Sequence, residues 1–355
     1  MSLDSPLLIV PMITPAAHPT KARPARVRFV RMTPTVAVMI TTCRRPDGLR
    51  RLLLALNQQV FQDAPPSVRL VVIDNDADGS ARATCDALRP LLRWPIHYGI
   101  ESRRGISPAR NAAITLALAT DPDVDFLALI DDDEQPAPTW LDELLRIQRD
   151  HAADIVAGPV HPRFEHSPPA WVVRGRFFEP RSHPDGAVLD YAFGGSVLWR
   201  ASPCREGGHR FGEHFGLIGG SDSEFFTRLH RAGCKIVWAA KAEVLEFITP
   251  ERTNARWLVR RMYRTGNAGV LVARDLDGRT LRTHAILFCK ALAWLGIGTV
   301  QAAVGLVAGK HMRVTGYRHI AYGLGILAGL MGRRFEEYRT AHHSAESAPD
   351  VSPRS

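Results

Sequence analysis

The chain alternates short, almost wholly apolar runs with longer segments whose apolar positions recur every three or four residues. Val36–Ile40, Leu70–Ile73, Phe126–Ile130 and Ile155–Gly158 are runs of the first kind, and Lys235–Trp238 is a further one. Runs this short, without polar alternation, predict strands buried on both faces, as in parallel sheets. Between them Leu49, Leu52, Leu53 and Leu56 share one helical face, as do Trp140, Leu141, Leu144 and Leu145. This alternation predicts an α/β fold with one sheet flanked by helices. One strand runs straight into charge: Phe126–Ile130 is followed at once by Asp131, Asp132, Asp133 and Glu134. The acids then lie at the carboxyl end of a strand, where open α/β sheets hold their ligands. Adjacent carboxylates repel, and a hard cation with oxygen ligands, Mg²⁺ or Mn²⁺, relieves that repulsion. A solvated acidic loop is the plain alternative.

Other strand ends carry further candidates. Val36–Ile40 leads into Thr41-Thr42-Cys43-Arg44-Arg45-Pro46, and Leu70–Ile73 into Asp74-Asn75-Asp76. No GxGxxG follows the first strand, so a dinucleotide cofactor is not expected. In Gly105–Ala113, Ser107 is a good N-cap and Pro108 suits the first helical position. Arg110 and Asn111 then fall in the first turn, facing the sheet edge, where a guanidinium can meet a diphosphate. Arg110 can equally cap local carbonyls or pair with Asp131. Gly194-Gly195 permits a close approach, by a ligand or by another strand. Gly219-Gly220-Ser221-Asp222-Ser223-Glu224 contains an S-x-x-E capping box and places Asp222 at a helix start. Asp222 is either a complement to the helix dipole or a general base presented on a glycine-flanked loop.

From Pro159 to Asp190 the periodicity fades and Pro, His and Arg abound, which predicts a long excursion over the active face. His161, His166 and His183 lack ligand spacing and read as surface residues.

Composition narrows the partners. The 355 residues suffice for one domain of ~250 residues and an appendage. A net charge of +9 suits nucleotide phosphates or an anionic membrane face. Rows of stacking aromatics are missing, so nucleic acid is not expected. Five scattered cysteines without a CxxC fit a reducing cytoplasm and neither a disulfide framework nor a zinc site. Residues 1–33 read as a disordered extension. Their apolar stretch is too short to span a membrane and lacks the charged leader of a signal peptide.

At the other end, Trp257–Arg264 predicts an arginine-rich helix that covers a diphosphate or lies on an anionic membrane. Ala291–Ala308 carries no charge and just reaches spanning length, whereas Ile320–Gly332 is too short to span comfortably. Arg313, Arg318, Arg333 and Arg334 favour the cytoplasmic side. The expectation is a helical hairpin dipping into, or lying on, the inner leaflet, with a helix pair packed on the soluble domain as the alternative. The resulting division is 34–265 for the α/β domain, 266–340 for a membrane-associated helical region and 341–355 for a disordered tail.

Taken in order, Ile40–Pro46, Val72–Asp76, Ala109-Arg110-Asn111, the aspartate run and Gly219–Asp222 resemble the family 2 glycosyltransferases of GT-A fold, and among them the bacterial exopolysaccharide type. The resemblance covers roughly residues 34 to 250. It implies a single Rossmann-like mixed sheet flanked by helices, followed here by apolar C-terminal helices. It implies that Thr42 and Cys43 line the nucleobase and ribose pocket and that Asp74 contacts the base. Asp131 and Asp133 fall on the metal-and-diphosphate motif, with Asp133 the direct ligand of Mg²⁺ or Mn²⁺. Asp222 falls on the catalytic base, and Arg45, Arg110 and Asp132 complete the nucleotide-sugar set. Cys43-Arg44 replaces the family's usual Tyr-Asn, which removes a stacking surface for the base, and Ser221 replaces an acid that often precedes the catalytic aspartate. The implied activity is inverting transfer of a hexosyl group from a nucleotide sugar, UDP-sugars favoured, to a saccharide or lipid-linked acceptor at the cytoplasmic face of the inner membrane. Two other readings are a sugar-phosphate nucleotidyltransferase-like enzyme, disfavoured by the Thr-Thr-Cys-Arg-Arg loop, and a non-catalytic membrane-associated binding module.

Overall fold

A computed structural model describes residues 33–336, so the expectations for the N-terminal extension (residue 33 apart) and the polar tail lie outside the described residues. The elements follow in the order β1 (Thr35–Thr42), α1 (Pro46–Asn57), β2 (Ser67–Asp74), α2 (Arg82–Leu88), β3 (Ile96–Ile100), α3 (Ile106–Thr120), β4 (Phe126–Asp131), β5 (Glu134–Pro136), α4 (Trp140–His151), β6 (Ile155–Ala157) and β7 (Val160–Phe164). Then come α5 (Ala170–Arg174), β8 (Val188–Leu189), β9 (Val197–Arg200), α6 (Ser202–Arg205), α7 (Ser221–Arg231), β10 (Ile236–Trp238), β11 (Val244–Ile248), α8 (Ala255–Asp277), α9 (Leu281–Ala308) and α10 (Lys310–Leu330).

β1 is buried along its whole length. Its side chains alternate between two cores, Val36, Val38 and Ile40 packing under α1, α2 and α4, and Ala37 and Met39 packing under α3 and α7. The main sheet is mixed and eight-stranded, in the order β3-β2-β1-β4-β9-β6-β10-β8. β3, β2, β1 and β4 are parallel, while β9 runs antiparallel to β4 and β6. From β1 the chain builds outward to β2 and β3, then returns to the other side of β1 as β4, which makes β1/β4 the topological switch point where a ligand crevice opens. Register brings the polar strand ends together, pairing Thr42 with Asp74 and Thr41 with Asp131.

A second, three-stranded sheet, β5-β11-β7, stands beside the first. β7 lies inside the stretch read as irregular. It contains Pro162, sits at a sheet edge and pairs with β11, more than eighty residues later, so no local pattern announces it. Neither serine expected to cap a helix does so. Gly105 (φ 130°) and Gly220 (φ 92°) occupy those N-caps, and the chain enters the helix directly from their positive-φ backbone. Ser107 and Ser221 are therefore already helical, and Glu224 pairs with Arg228 (2.6 Å) instead of closing a capping box.

The three C-terminal helices pack together, with α10 between α8 and α9. A Cβ at Gly266, Gly316 or Gly325 would collide with the backbone of Tyr322, Ala302 or Tyr263, so small residues set the close spacing. α8 is one continuous helix of 23 residues, and the division placed between residues 265 and 266 cuts it in the middle. α9 and α10 form a helical hairpin that turns at Gly309, with α9 beginning ten residues before its uncharged stretch. Among the described residues α9 is the helix long and apolar enough to cross a membrane, and Val300, Val304 and Val307 are exposed on it.

Candidate active site

A cleft of about 970 Å³ opens at the carboxyl ends of β1 and β4. β1 contributes Thr41 and Thr42 and the following loop gives Cys43 and Arg45; β4 delivers Asp131, and the turn after it Asp132 and Asp133; α3 contributes Arg110 and the Gly219-Gly220 loop Asp222. Of the sequence-predicted residues all but Asp74 and Asn111 line this cleft. Asp74 is fully buried: it accepts from the Ala81 N–H (2.7 Å), the Asp76 N–H (3.2 Å) and the Tyr98 hydroxyl (3.0 Å). Its neighbour Asn75 lines the cleft in its place.

The three aspartates have different surroundings. Asp132 is buried, accepting from the Thr42 hydroxyl (2.8 Å) and from Arg45 (2.9 Å). Asp133 is held by two guanidiniums, Arg45 at 3.1 Å and Arg252 at 3.0 Å. Asp131 pairs with Arg110 at 3.3 Å, one of the alternatives left open for that arginine. Screening from water at the cleft floor pushes the Asp131 carboxyl up to about 6, with the charges of Asp133, Asp132 and Asp222 adding to the rise and Arg110 opposing it. Glu134, buried beneath, accepts from the Asp131 N–H (2.9 Å), and its burial and the nearby Asp131 carboxylate hold its carboxyl well above the usual range.

Asp222 lies in the first turn of α7. The Ser223 N–H donates to its Oδ1 (2.8 Å) and the Gly194 N–H to its Oδ2 (3.1 Å). Gly219 and Gly220, both at positive φ, bring the chain into the helix at the angle that presents this carboxylate. Gly194-Gly195 does admit a close approach, but by side chains: a Cβ at Gly194 would lie 2.5 Å from Arg110 Nη2, and one at Gly195 would collide with the Glu134 carboxyl. Asn111 turns away and exchanges hydrogen bonds with the Phe211 backbone (2.8 and 2.9 Å).

Sequence reasoning missed Arg252 and Glu246. Arg252 bridges Glu246 (2.8 Å) and Asp133 (3.0 Å). Glu246 lies within β11 and Arg252 in the turn after it, and only the tertiary fold brings Arg252 to an aspartate 119 residues earlier.

A family model described as "Glycosyl transferase family 2" matches residues 37–206, the segment that builds the β1/β4 crevice. The succinoglycan biosynthesis protein ExoM of Rhizobium meliloti is 30% identical over 305 residues, covering 85% of this chain and 95% of that protein. The chain belongs to glycosyl transferase family 2. A pre-mycofactocin glycosyltransferase of Mycobacterium tuberculosis is 26% identical over 305 residues, covering 81% of this chain and 57% of that protein. Among solved structures, mannosyltransferase PcManGT from Pyrobaculum calidifontis, in complex with GDP-Man and Mn²⁺, superposes with a TM-score of 0.57 at 17% identity, covering 85% of this chain and 88% of that one. That likeness shows the shared GT-A fold. The protein is therefore a glycosyltransferase, which sets aside both the nucleotidyltransferase and the non-catalytic readings.

Among the described residues no three His, Cys, Asp or Glu side chains converge as a ready-made metal cage. The glycosyltransferase's donor set still suits a cation shared with a ligand. Mg²⁺-type sites take one or two carboxylates and complete their shell with phosphate oxygens and water. The crowded carboxylates of Asp131 and Asp133 supply hard oxygens of that kind.

Proposed function

We propose that the protein is an inverting, metal-dependent hexosyltransferase. It moves a sugar from a nucleoside-diphosphate sugar, UDP-sugars favoured, to a hydroxyl of a saccharide or lipid-linked saccharide acceptor in cell-surface polysaccharide synthesis. The observation that carries this reading is Asp222: a carboxylate fixed by two backbone N–H groups, in one cleft with Asp131–Asp133 and close enough to raise the Asp131 carboxyl.

In this mechanism Thr42 and Cys43 flank the nucleoside, and Asp74 braces the loop that carries Asn75. Asp133, with Asp131, would hold Mg²⁺ or Mn²⁺, which when bound neutralises the diphosphate of the leaving group. Arg110 and Arg45 lie beside the same carboxylates and stabilise the negative charge that develops as the diphosphate departs. Asp222 takes the proton from the acceptor hydroxyl as that oxygen attacks the anomeric carbon. A single displacement leaves the anomeric centre inverted.

The exposed apolar face of α9 supports attachment to the cytoplasmic face of the inner membrane, peripherally or by the hairpin. In support, every charged residue between 278 and 334 is lysine or arginine. The division into a GT-A domain and a helical region stands in this proposal with its junction moved to the end of α8. A thermal-shift screen of nucleotide sugars with Mn²⁺, followed by a transfer assay on the best binder, tests the reading. Stabilisation by no nucleotide sugar would overturn it.

A further inference from the structure

Part of the cleft wall is an aromatic shelf. Tyr191 and Phe193, between β8 and β9, line it together with Trp238 of β10. The Tyr191 and Phe193 ring centroids lie 5.3 Å apart. His183 Nε2 lies 3.0 Å from the Tyr191 hydroxyl, and its ring stands edge-on to Trp238 at 5.2 Å. Arg181 lies over this shelf and itself lines the cleft, its guanidinium 4.7 Å from the Tyr191 centroid and 4.3 Å from that of Phe193. Among the described residues Arg181 has no carboxylate partner and no hydrogen-bond acceptor. The arginines beside the aspartate run are engaged: Arg45 by Asp132 and Asp133, Arg110 by Asp131, and Arg252 by Asp133 and Glu246.

Stacking occupies the faces of a guanidinium and leaves its N–H donors, which lie in its plane, free to act. Rings that hold the plane still also lower the ordering cost of a bidentate contact. An unmatched cation among the few polar groups of a ligand cleft calls for an anion on the ligand. The donor diphosphate already has its own place at the aspartate run. Arg181 belongs to the sugar end, because Phe193 is followed by Gly194, whose N–H holds the Asp222 carboxylate. One guanidinium balances one negative charge, which is what a carboxylate carries. A phosphate monoester carries about −1.5 to −2 at neutral pH and calls for a second cation. We propose that Arg181 binds the carboxylate of an acidic sugar, so that one of the two sugars joined at Asp222 is a uronic acid or bears an acid substituent. This assignment rests on the transferase reading of the same cleft and narrows its substrates. Donor and acceptor sugar share this chemistry, and the experiment tells them apart.

The test uses the full chain. In the donor arm, UDP-glucuronate is compared with UDP-glucose by calorimetry in the presence of Mn²⁺. In the acceptor arm, methyl glucuronide is compared with methyl glucoside by saturation-transfer NMR at saturating UDP and Mn²⁺. In one arm the acidic probe binds the wild-type chain at least about 10-fold more tightly than its neutral twin, and that arm names the source. Arg181→Gln keeps a planar polar group without the charge and brings the ratio to about one. Arg181→Lys keeps the charge without the fork and leaves an intermediate ratio. Wild-type ratios near one in both arms overturn the assignment without recourse to any variant. So does a preference that survives Arg181→Gln. Equal weakening of acidic and neutral probes in an Arg181→Gln chain of wild-type melting temperature also overturns it, because a merely structural arginine gives that result. If neither UDP-sugar binds, the donor reading falls, and the acceptor arm, run without nucleotide, still decides on Arg181. If both UDP-sugars bind and neither arm shows a preference, the donor reading stands and Arg181 loses its role.

Discussion

The Gly194 N–H donates to Asp222 Oδ2 at 3.1 Å, while the space that a side chain at 194 would need is filled by the Arg110 guanidinium. One glycine therefore sets both the carboxylate proposed to take the acceptor proton and the cation proposed to face the departing diphosphate. Gly194→Ala would put a methyl 2.5 Å from Arg110 Nη2. Overpacking of this kind costs about 1–3 kcal/mol. The expected result is a lower melting temperature with a fall in transfer, and a smaller destabilisation when the same change is made on an Arg110→Ala background. Additive effects in a double-mutant cycle would show that the two side chains do not compete for this space.

Asp222→Asn keeps the shape and the Ser223 contact but removes the proton acceptor. Positioned general bases contribute about 10²–10⁴-fold, so transfer should fall by that factor while nucleotide-sugar affinity stays unchanged. Steady-state transfer and calorimetric donor binding, measured on the same preparation, separate the two. Transfer at the wild-type rate would remove Asp222 from the base role.

Asp133 is shared between Arg45 and Arg252, and each guanidinium opposes a cation at the same carboxylate. Chelation with EDTA should weaken nucleotide-sugar binding by about 10-fold or more without unfolding the protein. Arg252→Ala should shift two quantities in opposite directions: Mn²⁺ affinity rises a few-fold as a competing charge leaves, and nucleotide-sugar affinity falls. Titration of Mn²⁺ alone, then of donor at saturating Mn²⁺, reads both. A fall in both affinities would mean that Arg252 only props up the turn between β11 and α8.

The parts of this site that a reader of the sequence can see are those written in consecutive residues. Phe126–Ile130 is a doubly buried strand, and its acids sit at its carboxyl end, because burial on both faces of a parallel strand leaves an uninterrupted apolar run. The Gly219-Gly220 pair likewise marks the loop that presents Asp222. Other features depend on partners supplied from elsewhere. Asp74 looks like an available acid at a strand end, yet the Ala81 N–H and the Tyr98 hydroxyl, 7 and 24 residues on, enclose it. Ser107 and Ser221 have the chemistry of caps, but the glycines before them start the helices. The bridge from Glu246 through Arg252 to Asp133 joins elements on either side of the whole second half of the sheet, and no local pattern encodes it.

The hairpin makes a prediction of its own. Val300 is 63% and Val304 51% exposed, four residues apart on the outward side of α9, so neither contributes to the core beneath. Substitutions at such positions change stability by no more than about 0.5 kcal/mol. Val300→Asp with Val304→Asp should therefore leave the melting temperature and nucleotide-sugar binding of the detergent-purified full chain nearly unchanged. The same pair places two anions where an acidic bilayer would meet the helix, and each basic residue near such a surface contributes about 1 kcal/mol of attraction. Sedimentation with vesicles containing phosphatidylglycerol should recover the wild-type chain and lose the double variant. If both sediment equally, α9 is not the membrane contact. If neither does, the apolar face of α9 needs another occupant.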